Sequence, residues 1–297
     1  MKVLVAVDGS SSSLDAVALV GWLVDPAVDE VAIYFSPMEL EQKLPGQSRK
    51  IVDGAVAAIF EEACKLLPQN FARKVEAIVS SKTAAVGILE SAEGWHADLV
   101  VVGARGVGAV ERLFLGSVSR AVLHGSRLPV LVVRSAAPTG RGLNVLACHH
   151  EKSAAAVAAA IGKLHWPSAT RGQVIGVAES MLAGPLPAWL EKRVRDPDTA
   201  AIAKAWEQEH ADEVKQLGGT LEAFKRSLPA AFQAEAPVVV EGNPGEKIVA
   251  TAKAAGEDLI VIGRTPTDAL TRWLLGSTSE AVLMHAPASV LLVPVEK

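Results

Sequence analysis

The stretch "GARGVGAVERLFLGSVS" (Gly103–Ser119) lies over "GRTPTDALTRWLLGSTS" (Gly263–Ser279) without a gap. Both open on glycine and both reach a Gly-Ser pair, Gly116-Ser117 and Gly276-Ser277. They part at the fourth position, Gly106 against Pro266. The match extends outward. Residues 78–134 map onto 238–294 with a constant shift, and roughly a third of the positions agree, well above chance for an ungapped pair. "ADLVVVG" (97–103) answers "EDLIVIG" (257–263), and "VLVV" (130–133) answers "VLLV" (290–293). The starts correspond as well, "VLVAVD" (3–8) with "NVLACH" (144–149), which sets His149 against Asp8. The shift differs there, so the second copy carries extra residues between its first helix and its third strand. Ser135–Gly142, "SAAPTGRG", continues neither a strand nor a helix and reads as the linker. The chain therefore reads as two domains, 1–136 and 142–297.

Each copy alternates strand and helix. Short Val/Ile/Leu runs at 2–7, 31–35, 74–79, 98–102 and 130–133 predict strands, as do 143–148, 173–178, 236–240, 258–262 and 290–293. They are apolar on both faces, as parallel strands covered on both sides must be. Helical stretches fall between them at 13–24, 48–67, 83–94 and 115–125, with Ser13 as the expected first cap. A long helix at 198–228 contains Gly218-Gly219, where a kink or break is expected. The fold class is α/β: two tandem, doubly wound, five-stranded parallel-sheet domains.

Composition bounds the function. Of the 297 residues 50% are hydrophobic and 21% charged, which suits a globular chain with a sizeable core. A net charge of −4, with no basic stripe, argues against a nucleic-acid partner. No apolar run approaches the roughly 18 residues of a membrane span, and the N-terminus lacks a signal-peptide pattern, so a cytoplasmic protein is expected. Two cysteines, Cys64 and Cys148, make no disulfide framework.

Open parallel sheets bind ligands beyond the carboxyl ends of their strands, where strand order reverses. In the first copy those ends hold Asp8-Gly9-Ser10 and Gly103-Ala104-Arg105-Gly106, and the next helix opens at Gly116-Ser117-Val118-Ser119. Glycines let backbone N–H groups approach a phosphate, and a helix N-terminus favours an anion. Two separate pieces of chain thus make one phosphate cradle. There is no Gly-x-x-x-x-Gly-Lys-Ser/Thr, hence no P-loop lysine.

Gly-x-x-Gly, nine residues, then Gly-Ser, after a "DLVVVG" strand and before "PVLVV", resembles the ATP-binding motif of the universal stress protein family. The "VLVAVDGS" start strengthens the resemblance, which covers nearly the whole chain as a tandem pair. It implies an adenine nucleotide alpha hydrolase-like, Rossmann-like fold of strand order 3-2-1-4-5, pairing through the last strands, either within the chain as a pseudo-dimer or as a homodimer. It implies ATP, with or without Mg²⁺, as the cofactor, and an unidentified protein partner for a stress regulator. Residue by residue, it places the nucleoside at Ala6, Val7 and Asp8, with a backbone contact to adenine at Ser36. It lines the ribose and phosphates with Val102, Gly103, Arg105 and Gly106. Gly116, Ser117, Val118 and Ser119 would cap the phosphates.

The second copy departs from this pattern. His149 stands for Asp8, and Pro266, which has no N–H, stands for Gly106. It keeps "EGNPGEKI" (241–248), which resembles the family's Gly-x-Pro, where the first copy reads "SKTAAVGI". The nucleotide site is expected in the first half. Several residues also have plainer readings: the glycines as turn and packing residues, Asp8 as a turn cap, Arg105 as a solvent-facing charge. If those hold throughout, the chain is an interaction scaffold that binds no nucleotide. "ACHHEKS" (147–153) tempts a metal reading, but adjacent strand residues face opposite ways. "GPLPAWLEKRVRDPD" (184–198) reads as a surface excursion, a lid or a partner surface. No catalytic triad or paired carboxylates stand out, so an enzyme is not expected.

Overall fold

The computed structural model describes residues 1–38, 41, 49–106, 115–178, 197–264 and 276–295. The first half runs β1 (Lys2–Val7), α1 (Ser11–Leu23), β2 (Glu30–Phe35), α2 (Arg49–Lys65), β3 (Glu76–Val79), α3 (Ala84–Gly94), β4 (Leu99–Gly103), α4 (Ser117–Gly125) and β5 (Val130–Val133). The second half runs β6 (Asn144–Cys148), α5 (Ala154–Lys163), β7 (Arg171–Ala178), α6 (Pro197–Arg226), β8 (Val238–Glu241), α7 (Pro244–Ala255), β9 (Leu259–Arg264), α8 (Ser277–His285) and β10 (Ser289–Pro294). Every strand expected from the apolar runs is present.

The ten strands among the described residues join in one sheet, ordered β3-β2-β1-β4-β5-β10-β9-β6-β7-β8. Within each half the strands are parallel. The halves meet through their last strands, antiparallel, with Leu131 opposite Leu291. Side chains alternate across each strand. Val3, Val5 and Val7 therefore join α1, α2, α5 and α6 on one face, while Leu4 joins α3, α4, α7 and α8 on the other. The result is three layers, with helices on both sides of the sheet.

Local chemistry sets several boundaries. Ser10, not Ser13, caps α1: its hydroxyl accepts the Ser13 N–H at 3.2 Å. The turn before it needs Gly9 at φ 81°, which delivers the chain to a cap three residues earlier than expected. Gly218 and Gly219 do not break α6. Their helix cost, about 1 kcal/mol each, is offset by packing: Leu217 and Leu221 lie against Gly176 of β7, so the helix is held on the sheet. Asn243 caps α7 by accepting the Glu246 N–H at 3.2 Å, with Pro244 opening the helix. The Asp of the repeated "DL" pair has a structural role in both halves. Asp98 accepts the Lys2 N–H and Asp258 the Asn144 N–H, each at 2.8 Å, tying the start of one strand to its neighbour.

Two arginines cross between the halves. Arg134, at the end of β5, donates from Nη2 to Leu283 O near the end of α8. Arg264, at the end of β9, donates from Nη1 to Leu123 O at 3.0 Å and to Ser126 O at 3.4 Å, at the end of α4. A cation at a helix C-terminus satisfies orphan carbonyls and opposes the dipole's negative end, worth about 0.3–1 kcal/mol and more when partly buried. Arg141 of the linker is bidentate to Asp258, at 2.6 and 2.8 Å. Among the described residues no helix is long and apolar enough to cross a membrane.

Candidate functional site

Strand order reverses at β1, which has β2 on one side and β4 on the other. A cavity of 470 Å³ opens there. All twelve site residues expected from the sequence line it. Ala6, Val7 and Asp8 come from the end of β1, and Ser36 from the end of β2. Val102, Gly103, Arg105 and Gly106 come from the end of β4, and Gly116, Ser117, Val118 and Ser119 from the start of α4. Sequence reasoning missed Ser13, Tyr34, Phe35, Ala84 and Ile88, which complete the wall. The last two sit on the first turns of α3, where only the i, i+4 spacing after a strand could have pointed to them.

The side chains divide into those that hold the fold and those that face the cavity. Asp8 is exposed, and its Oδ1 accepts both the Ser10 N–H at 2.9 Å and the Ser10 hydroxyl at 2.5 Å. That is a turn cap. Its Oδ2 lies beside Gly106, where an added Cβ would stand only 2.7 Å from it. Gly103 has a packing duty, because a Cβ there would come within 2.8 Å of the Ser12 backbone. Gly263 is constrained likewise, at 2.2 Å from Ser153 Cβ. The Ser119 hydroxyl donates to Gly103 O at 2.6 Å, and Ser279 repeats this to Gly263 O at 3.1 Å. The Ser36 hydroxyl donates to Lys82 O at 2.8 Å.

The start of α4 brings backbone to the cavity. Gly116 caps α4 without a side-chain bond, and its own N–H goes to Ala104 O at 2.8 Å. The next N–H groups, of Ser117, Val118 and Ser119, belong to the first turn and have no intrahelical acceptor. Free N–H groups of this kind, with the positive end of the dipole, favour an anion. Arg105 stands at the rim, half-buried, with its Nε covered and lacking an acceptor among the described residues. Burial pushes the nearby Asp15 carboxyl up, and the Arg105 charge offsets part of that rise. The opposite end of the cavity, with Tyr34, Phe35, Ala84 and Ile88, is apolar and suits a flat ring. The Tyr34 hydroxyl there is buried near the Ser36 and Ser80 hydroxyls, and burial pushes its pKa up.

The second half keeps a cavity at the matching place, of 580 Å³. Gly263 and Gly276–Ser279 line it as their counterparts do in the first. Pro244 and Ile248 stand where Ala84 and Ile88 do, so "NPGEKI" opens a helix at the cavity's rim. The pairing of Asp8 with His149 is corrected by the sheet register. Val3 lies opposite Leu99 and Val145 opposite Leu259, so Val145 answers Val3 and His150 answers Asp8. A one-residue slip moves every side chain to the other face of a strand. His149 packs edge-on against Phe224, centroids 5.2 Å apart, and burial, then the charge of His150, pushes its pKa down. Cys148 is buried, which pushes its thiol up. No group of three or more His, Cys, Asp or Glu among the described residues is placed to hold a metal ion. Pro266, Trp189 and most of the 184–198 excursion lie outside the described residues, as does the side chain of Trp206.

A family model described as the universal stress protein family matches residues 1–134 and 187–294. A universal stress protein of Thermus aquaticus is 48% identical over 59 residues, 20% of this chain and 43% of that protein. One from Mycobacterium bovis is 28% identical over 200 residues, 66% of this chain and 62% of that protein. The chain thus spans less than two thirds of either relative. The crystal structure of a universal stress protein from Archaeoglobus fulgidus matches 100% of this chain and 97% of its own, with a TM-score of 0.59 at 18% identity. A functionally unknown protein from Pseudomonas aeruginosa PAO1 matches with a TM-score of 0.64 at 15% identity, over 99% of this chain and 92% of that one. At those identities the likeness is one of fold. With two segments of the family model covering most of its length, the chain belongs to the universal stress protein family.

Proposed function

We propose that the cavity of the first half binds an adenine nucleotide, ATP in particular, and that the chain acts as a nucleotide-responsive regulator rather than a catalyst. The observation that carries this is the convergence of two glycine-bearing strand ends and a free helix start on one cavity at the sheet's switch point. Its volume suits a ligand of this size. The base would lie at the apolar end by Tyr34 and Ile88. The phosphates would lie on the Gly103–Gly106 backbone and the first turn of α4. Mg²⁺ would be carried on the phosphates, as is usual for that ion, with Asp8 the carboxylate in the described wall.

The domain division 1–136 and 142–297 fits the linker's place between β5 and β6. Pairing of β5 with β10 occupies the edge that a second chain would use, which supports a pseudo-dimer within one chain. The test is calorimetric titration of the full chain with ATP and Mg²⁺. Binding in the parent and its loss in Gly106→Pro are expected, because proline removes the N–H and brings a Cβ onto Asp8. No binding by the parent at millimolar ATP would refute the proposal and leave a scaffold of the same fold. Undiminished binding by Gly106→Pro would put the nucleotide elsewhere.

A further inference from the structure

We infer that Arg264, a residue of the second half, positions the anion cradle of the first cavity, and that Arg134 of the first half does the same for the second. The geometry is crossed. The helix α4 lines the first cavity with its start, Gly116–Ser119, and offers Leu123 O and Ser126 O at its end to Arg264. The helix α8 lines the second cavity with Gly276–Ser279 and offers Leu283 O to Arg134. Each helix has only nine residues, a rod of roughly 13 Å. A rod that short does not bend, so a displacement of its far end reaches its near end. Both arginines are largely buried, Arg134 9% and Arg264 8% exposed, so each guanidinium is confined where it acts.

The two arginines do not correspond in the repeat. Arg134 falls at the position of Pro294, and Arg264 at that of Ala104. Their acceptors do correspond, Leu123 O and Leu283 O. The same contact is therefore made from two different places, once from the end of β5 and once from the end of β9. Duplication alone would have put both at one position. The Arg134 N–H also bonds Ser289 Oγ at 3.2 Å, at the start of β10, which fixes its backbone to the other half. Each cavity's helix is thus held by the half that does not own the cavity. A ligand that shifts α4 must work against Arg264 and, through the shared β5–β10 seam, against the second half. By linkage, the coupling acts equally in both directions.

Hydrogen exchange on the full chain without ligand decides this, independently of whether ATP binds. Arg264→Met is expected to speed amide exchange in 117–125 and leave 277–285 as in the parent. Arg134→Met is expected to do the reverse. Faster exchange only in the substituted residue's own half, or equally in both helices, would overturn the inference. If the methionine variants fail to fold, Arg264→Lys and Arg134→Lys keep a cation but lose the guanidinium fork, and the same crossed pattern, smaller, is expected from them. The ligand-dependent part rests on the reading of the first cavity. There Arg264→Met is expected to weaken ATP about five- to tenfold, and Arg264→Lys to restore most of it. A parent that binds no ATP would refute that reading alone. A parent that binds ATP equally well as Arg264→Met would refute the positioning role.

Discussion

At the scale of single residues, the repeated glycines and serines separate by duty. Gly103, Gly263, Ser119 and Ser279 are matched because each joins a strand end to a helix start. Ser119→Ala and Ser279→Ala should therefore each lower stability by about 1 kcal/mol, read as a shift in denaturation midpoint. If either left the midpoint unchanged, the hydroxyl bond would not be part of the fold. Gly106 differs: its neighbour is Asp8 Oδ2, and the second half changes both partners, to Pro266 and His150. Glu257 has an unexpected burden. Burial, then the charge of Asp258, lifts its carboxyl to about 7, and its Oε2 is covered with no hydrogen-bond donor among the described residues. Unfolding returns it to the ordinary 4.5. Between those values the folded chain holds the proton more tightly, so stability falls as pH rises from 4.5 through about 7. Glu257→Gln should melt higher than the parent in mildly alkaline buffer, and the two should converge in acid. A gap that does not change with pH would contradict this. None of this was legible from spacing, because the groups around Glu257 come from three separate segments.

At the scale of elements, the sequence was most legible where the physics is local. Strands apolar on both faces announced themselves, and so did the Pro-Gly-rich linker. Cap and register were harder. Ser13 looked like the cap of α1, but the turn at Gly9 gives that place to Ser10. Alignment by letters put His149 against Asp8, whereas the hydrogen-bonded ladder puts His150 there. The long α6 survives its glycine pair because packing on β7 outweighs propensity. Replacing both glycines by alanine, where an added Cβ meets nothing within 4 Å, should stabilise the chain by about 1–2 kcal/mol. A loss of stability would show that the glycines bend the helix for a purpose.

At the scale of the whole molecule, one sheet binds two halves into a unit. Crossed arginines, the β5–β10 ladder and the His165 N–H bond to Leu23 O at 2.9 Å all span the seam. Thermal unfolding should therefore be a single transition, and Leu131→Lys, in the middle of the seam, should lower it for both halves together. Two separate transitions in the parent would contradict a shared core. The seam was legible only through family resemblance, since no local pattern says which strand meets which over such a sequence separation. Of the twelve residues found in the first cavity's wall, the glycines and the helix start were legible from their own chemistry, while Ala6, Val7, Ser36 and Val102 came only through the family resemblance. The apolar wall left no such trace. The most direct measurement is photolabelling of the full chain with an azido-adenine ATP analogue, followed by peptide mapping. Label displaced by ATP is expected in peptides containing 30–36 and 84–94, at the apolar end of the first cavity. Label in peptides containing 171–178 and 244–255 instead, or none that ATP displaces, would contradict that placement.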